Sequence, residues 1–112
     1  MSERSIKYQR QITGRSDDLV YDVGGYEFDG WTGSKLLEAK GPGYARGVEN
    51  GKFADWYGGK ASLIKQARNQ IKVAGNNPIE WHVAEKEAYD AIVDAFAEEG
   101  ITGIKVFHTP PL

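Results

Sequence analysis

The 112-residue chain contains no cysteine. Disulfides, zinc–thiolate sites and cysteine nucleophiles are therefore excluded. Histidine is nearly as scarce: His82 and His108 are the two, well separated along the chain, which argues against a histidine-rich metal centre. Any metal would be a hard ion held by carboxylates. No apolar run approaches the roughly 20 residues of a membrane span, and the N-terminus lacks the apolar core of a signal peptide. What remains is ordinary globular composition, with 40% apolar and 27% charged residues. A chain of this length buries roughly two-thirds of its unfolded surface, enough for one core and not two. Residues 1–112 thus read as one domain, with the polar stretch 1–7 a flexible lead-in.

A net charge of −2 does not suggest a nucleic-acid binder, but the charge is unevenly spread. Residues 35–72 hold eight basic and three acidic side chains, and residues 73–112 hold two basic and seven acidic. Such asymmetry fits an electrostatic footprint on one face, or a solvated helix surface.

Residues 8–14 fit either a short helix or an extended lead-in. Alternation of Leu19, Tyr21 and Val23 marks a strand beginning near Asp17-Asp18. Gly24-Gly25 supplies a hairpin turn, residues 26–29 a return strand, residues 31–34 a second turn, and residues 35–40 a third strand. Together these predict an antiparallel meander. Residues 41–59 read as a long glycine-rich loop with one helical turn near residues 53–57; loops of this length are often functional. Helical spacing then takes over at residues 60–74, with Ala61, Ile64, Ala67 or Arg68, Ile71 and Ala74 on one stripe. A fourth strand at 79–83, a helix at 85–98 with Tyr89, Ile92, Val93 and Phe96 inward, and a fifth strand at 104–107 complete an α/β (α+β) order of β-β-β-α-β-α-β.

Chemistry concentrates on the second and third strands. Alternate residues of a strand share a face, so Glu38 and Lys40 point together. A hairpin brings Asp29 close to Glu38. Two converging carboxylates repel one another unless a cation lies between them, and the donor set suits Mg²⁺ or Mn²⁺ with water and a phosphate completing the shell. Glu38→Ala would relieve that repulsion where no metal is present and leave the fold intact. The Lys40 ammonium would orient a metal-bound water or stabilise charge on a transferring phosphate. The bland alternative is a wet strand face with cross-strand pairs worth under ~1 kcal/mol. Against it, Leu36, Leu37 and Ala39 make this strand read as central and buried, and a buried charged pair needs a reason.

Asp29 followed by Glu38-Ala39-Lys40 resembles the PD-(D/E)xK signature of restriction-endonuclease-like nucleases, with Phe28 in place of the motif's proline. More specifically, the chain resembles the fifth restriction-endonuclease-fold toxin family of bacterial polymorphic toxins. The matching pieces are Tyr8-Gln9 with Thr13-Gly14, Phe28-Asp29-Gly30, Leu37-Glu38-Ala39-Lys40-Gly41, Gln66 with Gln70, and Trp81-His82-Val83. They lie in a region running from Tyr8 to about Pro110. The resemblance implies a central mixed sheet flanked by helices, with Asp29, Glu38 and the Ala39 carbonyl as metal ligands and Lys40 assisting the attacking water. It also implies a glutamine on the following helix, Gln70 before Gln66, that helps the site. A secreted toxin warhead is implied too, often delivered by a type VI secretion system through an upstream carrier protein. It would reach the cytoplasm of a target bacterium and cut nucleic acid there, DNA ahead of RNA. A cognate immunity protein, acidic and covering residues 41–72, would silence it in the producer.

Other residues carry lighter cases. Gln66, Arg68 and His82 are candidate substrate contacts. Glu85 reads either as a further ligand or as an acid at a helix start. Trp81 reads as core and Trp56 as loop packing, while Gln9 and Gln11 carry little beyond the resemblance. The competing function is a binding module on the same fold, in which Asp29 and Glu38 only neutralise Lys40.

Overall fold

The computed structural model describes residues 2–14 and 20–112. Helix α1 spans Glu3–Thr13, so of the two readings of residues 8–14 the helix is the one that forms. It reaches back into the stretch read as lead-in, because Ser2 caps it by accepting from the Ser5 N–H at 3.2 Å. Gly14 ends it in the left-handed conformation.

The first expected strand is β1, Tyr21–Val23, paired with β2, Tyr26–Phe28, across Gly24 and Gly25; its Asp17, Asp18 and Leu19 portion lies outside the described residues. The meander itself does not form. The chain bends at Asp29 and opens a separate strand, β3 (Gly30–Thr32), which pairs antiparallel with β4 (Lys35–Lys40), so the second turn shrinks to residues 33–34. Two hairpins replace three continuous strands. Close packing of α1 explains part of this: a Cβ at Gly30 would come within 2.8 Å of the Thr13 side chain, and one at Gly41 within 3.3 Å of Ser5. Glycine at both positions lets the helix lie directly on the β3–β4 hairpin.

Residues 41–59 contain a 3-10 turn at Tyr44–Gly47 and a small hairpin, β5 (Val48–Glu49) and β6 (Lys52–Phe53), instead of a helical turn at 53–57. Helix α2 (Gly59–Ala74) buries Leu63, Ile64, Ala67, Gln70 and Ala74. Ala61, expected on the stripe, is exposed, since the buried stripe is rotated to include Gln70. Strand β7 (Ile79–Val83), helix α3 (Lys86–Glu98) and strand β8 (Ile104–His108) follow. In α3 the buried face is Ala88, Ala91, Ile92, Ala95 and Phe96, while Val93 turns outward.

The central sheet runs β3-β4-β7-β8, antiparallel at β3–β4 and parallel elsewhere. Register places Leu36 beside Ile79, Glu38 beside Trp81 and Lys40 beside Val83, so these six share one face. Trp81 meets Phe96 of α3 edge-on at 5.2 Å, and the main apolar cluster gathers Leu36, Ile79, Trp81 and Val83 with α2 and α3. The alternate residues Leu37 and Ala39 lie on the opposite face, and α1 packs on β4 and β3. No described helix is long and apolar enough to cross a membrane.

Candidate active site

The β3–β4 pairing stops at Gly30 opposite Leu37. Beyond it the edge of β4 at residues 38–40 has no strand neighbour on that side among the described residues, and the bend residue Asp29 occupies the next register position, facing Glu38. Its Oδ2 accepts from the Ala39 N–H at 2.8 Å. A cleft of about 220 Å³ opens here, lined by Asp29, Glu38, Ala39 and Lys40 from the sheet, Ser5 and Gln9 from α1, and Tyr44 from the loop.

Below the cleft lies a buried polar network. Glu38 and Lys40 are 5% and 4% exposed. Lys40 Nζ donates to Glu38 Oε2 at 3.0 Å and to Gln66 Oε1, while Gln66 Nε2 donates to Glu38 Oε2 at 2.8 Å. The other oxygen, Oε1, accepts from Gln70 Nε2 at 3.1 Å, and Gln70 Oε1 accepts from Trp81 Nε1 at 2.8 Å. No buried side-chain polar atom among the described residues lacks a partner. The ammonium also sits over the Trp81 ring, 4.7 Å from its centroid, within cation–π range.

Electrostatics follow from this burial. Desolvation, then the Glu38 charge, raises the Asp29 pKa to about 6, against the Ala39 hydrogen bond and the Lys40 charge, which lower it. For Lys40 desolvation alone would favour the neutral amine, but Glu38 and, more weakly, Tyr44 and Asp29 outweigh it and hold the pKa above the ordinary lysine value. Lys40 is therefore a fixed ammonium, not a base.

Gln66 and Gln70 thus join Asp29, Glu38, Ala39 and Lys40, whereas Arg68 and His82 do not. Arg68 reaches Glu99 at the end of α3. His82 is on the opposite face from Trp81, between Glu80 and Thr109 and stacked on Phe107. Glu85 is committed elsewhere: its Oε1 accepts from the N–H groups of Gly43 and Ala45, tethering the loop that carries Tyr44. Trp56 is 66% exposed and meets only the Tyr57 edge among the aromatic rings of the described residues, so it is not the packed loop residue expected. Sequence reasoning missed Ser5 and Gln9 as cleft walls, because nothing in a polar lead-in marks which residues turn inward. A buried Gln9, 4% exposed, was visible only as part of a family resemblance.

The Trp81–Gln70–Glu38 relay carries a prediction. Gln70 can donate to Glu38 only while its oxygen is turned toward an N–H, and Trp81 supplies that N–H. Trp81→Phe keeps a ring there and removes the donor. We expect a loss of about 1–3 kcal/mol in urea unfolding, from the smaller ring and the orphaned amide oxygen. A variant as stable as the parent would show that Gln70 needs no orientation.

A mixed central sheet flanked by helices α1, α2 and α3 matches a restriction-endonuclease-like fold. The chain belongs to the family described as restriction endonuclease fold toxin 5, whose model matches residues 5–86. Membership points to a nuclease toxin. The matched region ends at the start of α3, short of Pro110, so most of α3 and all of β8 fall outside it. No curated protein and no solved structure matches the chain.

Proposed function

We propose that this chain is a divalent-metal-dependent endonuclease toxin domain that hydrolyses phosphodiester bonds in DNA, with RNA the competing substrate on the same site. The observation that supports this most is the pairing of Asp29 with a Glu38–Lys40 couple at an open cleft, the couple held by hydrogen bonds with Gln66 and Gln70.

The donor chemistry fits a hard divalent ion such as Mg²⁺ or Mn²⁺. No described group of three or more His, Cys, Asp and Glu residues converges anywhere, so protein ligands are few, as Mg²⁺ tolerates when water and phosphate fill its shell. A carboxylate offers about four lone-pair sites. Glu38 has three engaged by Lys40, Gln66 and Gln70, leaving one for a metal. Asp29 has one engaged by Ala39. The N–H and C=O of one strand residue point to the same side. Because the Ala39 N–H faces Asp29, its carbonyl opens on the same edge, available as a third ligand. When bound, the ion would supply Lewis acidity and a more acidic water. Asp29, Glu38 and the Ala39 carbonyl would fix its place. Lys40 keeps its proton and places positive charge where charge builds on a phosphate oxygen. Gln66 and Gln70 hold Glu38 and Lys40 in one rotamer each.

Cleavage of supercoiled plasmid and of a labelled RNA, each with Mg²⁺ and with excess EDTA, tests the reading. We expect metal-dependent DNA cutting abolished by EDTA; activity persisting in EDTA would overturn it, and RNA-only cutting would reassign the substrate. We further propose secretion into a target bacterium through an upstream carrier, and a cognate immunity protein in the producer. The basic run of residues 41–72 is a weaker dock for that protein than its sequence suggests. Lys52, Lys60 and Arg68 are paired with Asp94, Glu98 and Glu99 of α3 and the residue after it. The cleft mouth is the better target.

A further inference from the structure

The opposite charges of residues 35–72 and 73–112 face one another within the fold. Lys35 meets Glu80 at 3.1 Å, Lys60 meets Glu98 at 2.7 Å, and Arg68 meets Glu99 at 3.3 Å. This removes much of the footprint suggested by the sequence and shifts attention to α1. There Arg4, Lys7 and Arg10 recur at three-residue intervals, all exposed, on the helix that also sends Ser5 and Gln9 into the catalytic cleft. They line a groove of about 620 Å³ together with Gln11, Pro42 and the C-terminal Pro111 and Leu112. The C-terminal wall is tied down: Gln11 Nε2 donates to the Pro110 carbonyl at 3.0 Å, Gln11 Oε1 accepts from the Leu112 N–H at 3.0 Å, and the Tyr8 hydroxyl donates to the Thr109 carbonyl at 2.7 Å. Pro42 is the neighbour of Gly41, itself a cleft residue. Groove and cleft therefore adjoin across Gly41-Pro42, with α1 shared between them.

We propose that this groove is a nucleic-acid track: it holds the phosphodiester backbone of the strand flanking the scissile bond, through Arg4 and Lys7 with Arg10 continuing the row. The occupant follows from charge and continuity. A cationic row beside an anion-hydrolysing cleft matches a polyanion that must extend past the cut, and the apolar Pro42, Pro111 and Leu112 offer surface to sugars and base edges. Binding of this kind is read by its salt dependence, because each phosphate neutralised releases condensed counterions. The inference rests on the nuclease reading, and its test is separable from it.

The test uses the Arg4→Gln/Lys7→Gln double variant, whose two sites are solvent-exposed, checked by thermal melting. Binding of a fluorescein-labelled 20-nucleotide DNA, single-stranded and duplex, is followed by anisotropy in EDTA across a salt series. Loss of two phosphate contacts should weaken binding roughly tenfold or more at low salt and reduce the slope of log K against log salt by about 1.4–1.8. The charge-conserving Arg4→Lys/Lys7→Arg variant should restore both. In Mg²⁺, cutting of a long duplex should fall while turnover of bis(p-nitrophenyl) phosphate, too small to reach the groove, stays at the parental rate. Failure of the parent to cut anything would sink the nuclease reading while the anisotropy arm still decides the groove. Unchanged affinity and slope in the Gln variant overturn the proposal and leave the groove to a protein partner.

Discussion

Lys40→Met should lower single-turnover cleavage by about two to three decades, the ~2–4 kcal/mol typical of a lost transition-state charge contact, with DNA affinity nearly unchanged. The same substitution should also destabilise the fold. Its ammonium is the only cation within hydrogen-bond or ion-pair distance of Glu38 among the described residues, and removing one partner of a buried pair leaves an uncompensated charge, at a cost of about 3–5 kcal/mol. Activity must therefore be measured where the variant is folded, by chemical denaturation in parallel. Lys40→Met/Glu38→Gln separates the two effects. It removes both charges, should recover much of the stability, and should stay inactive. If Lys40→Met, folded, cuts at the parental rate, Lys40 plays no part in the chemistry and the binding-module reading gains ground.

The buried network also revises what removing Glu38 does. Two repelling carboxylates in the sequence suggest that losing Glu38 relieves repulsion and leaves the fold intact. Structurally the two are unequal. Glu38 is the acceptor for Lys40, Gln66 and Gln70, so its loss takes the shared acceptor from three donors and leaves Lys40 only Gln66. Asp29 accepts from one backbone amide and bears the repulsion. Strand β4 and the Glu38–Lys40 pairing of faces were legible because period-2 alternation is a local property of the backbone. So were β7, and α2 nearly to its ends, where apolar periodicity and a terminal Gly75 agree. Harder to read was anything fixed by partners distant in the chain. The break at Asp29 depends on α1 lying over Gly30. The inward turn of Gln70 depends on Trp81, eleven residues later. The neutralisation of the basic segment depends on α3 docking beside α2. A charge count along the chain carries no sign of which charges meet.

Asp29→Asn should raise the stability of the metal-free protein while abolishing metal-dependent cleavage. Its pKa is raised to about 6 from an ordinary 3.8, first by desolvation and then by Glu38. A carboxyl with a raised folded-state pKa makes the native state bind more protons than the unfolded chain between those values. Stability from this group is thus present below about pH 4 and lost as pH rises to about 6, so that at pH 7 the ionised carboxylate is a net penalty. One pKa unit is worth about 1.4 kcal/mol, and screening by water in the cleft trims the total to on the order of 1–2 kcal/mol. Asparagine keeps an oxygen for the Ala39 N–H and drops the charge. In metal-free buffer the variant should therefore unfold at higher urea than the parent at pH 7, and the gap should close toward pH 4. Mg²⁺ should stabilise the parent, half-saturating at higher concentration as pH falls below 6 because protons compete for Asp29, and should leave Asp29→Asn unmoved. A parent whose metal-free stability does not fall between pH 4 and 6 relative to Asp29→Asn would show that neither desolvation nor Glu38 burdens the ionised Asp29. The electrostatic argument for a metal between the two carboxylates would then be lost.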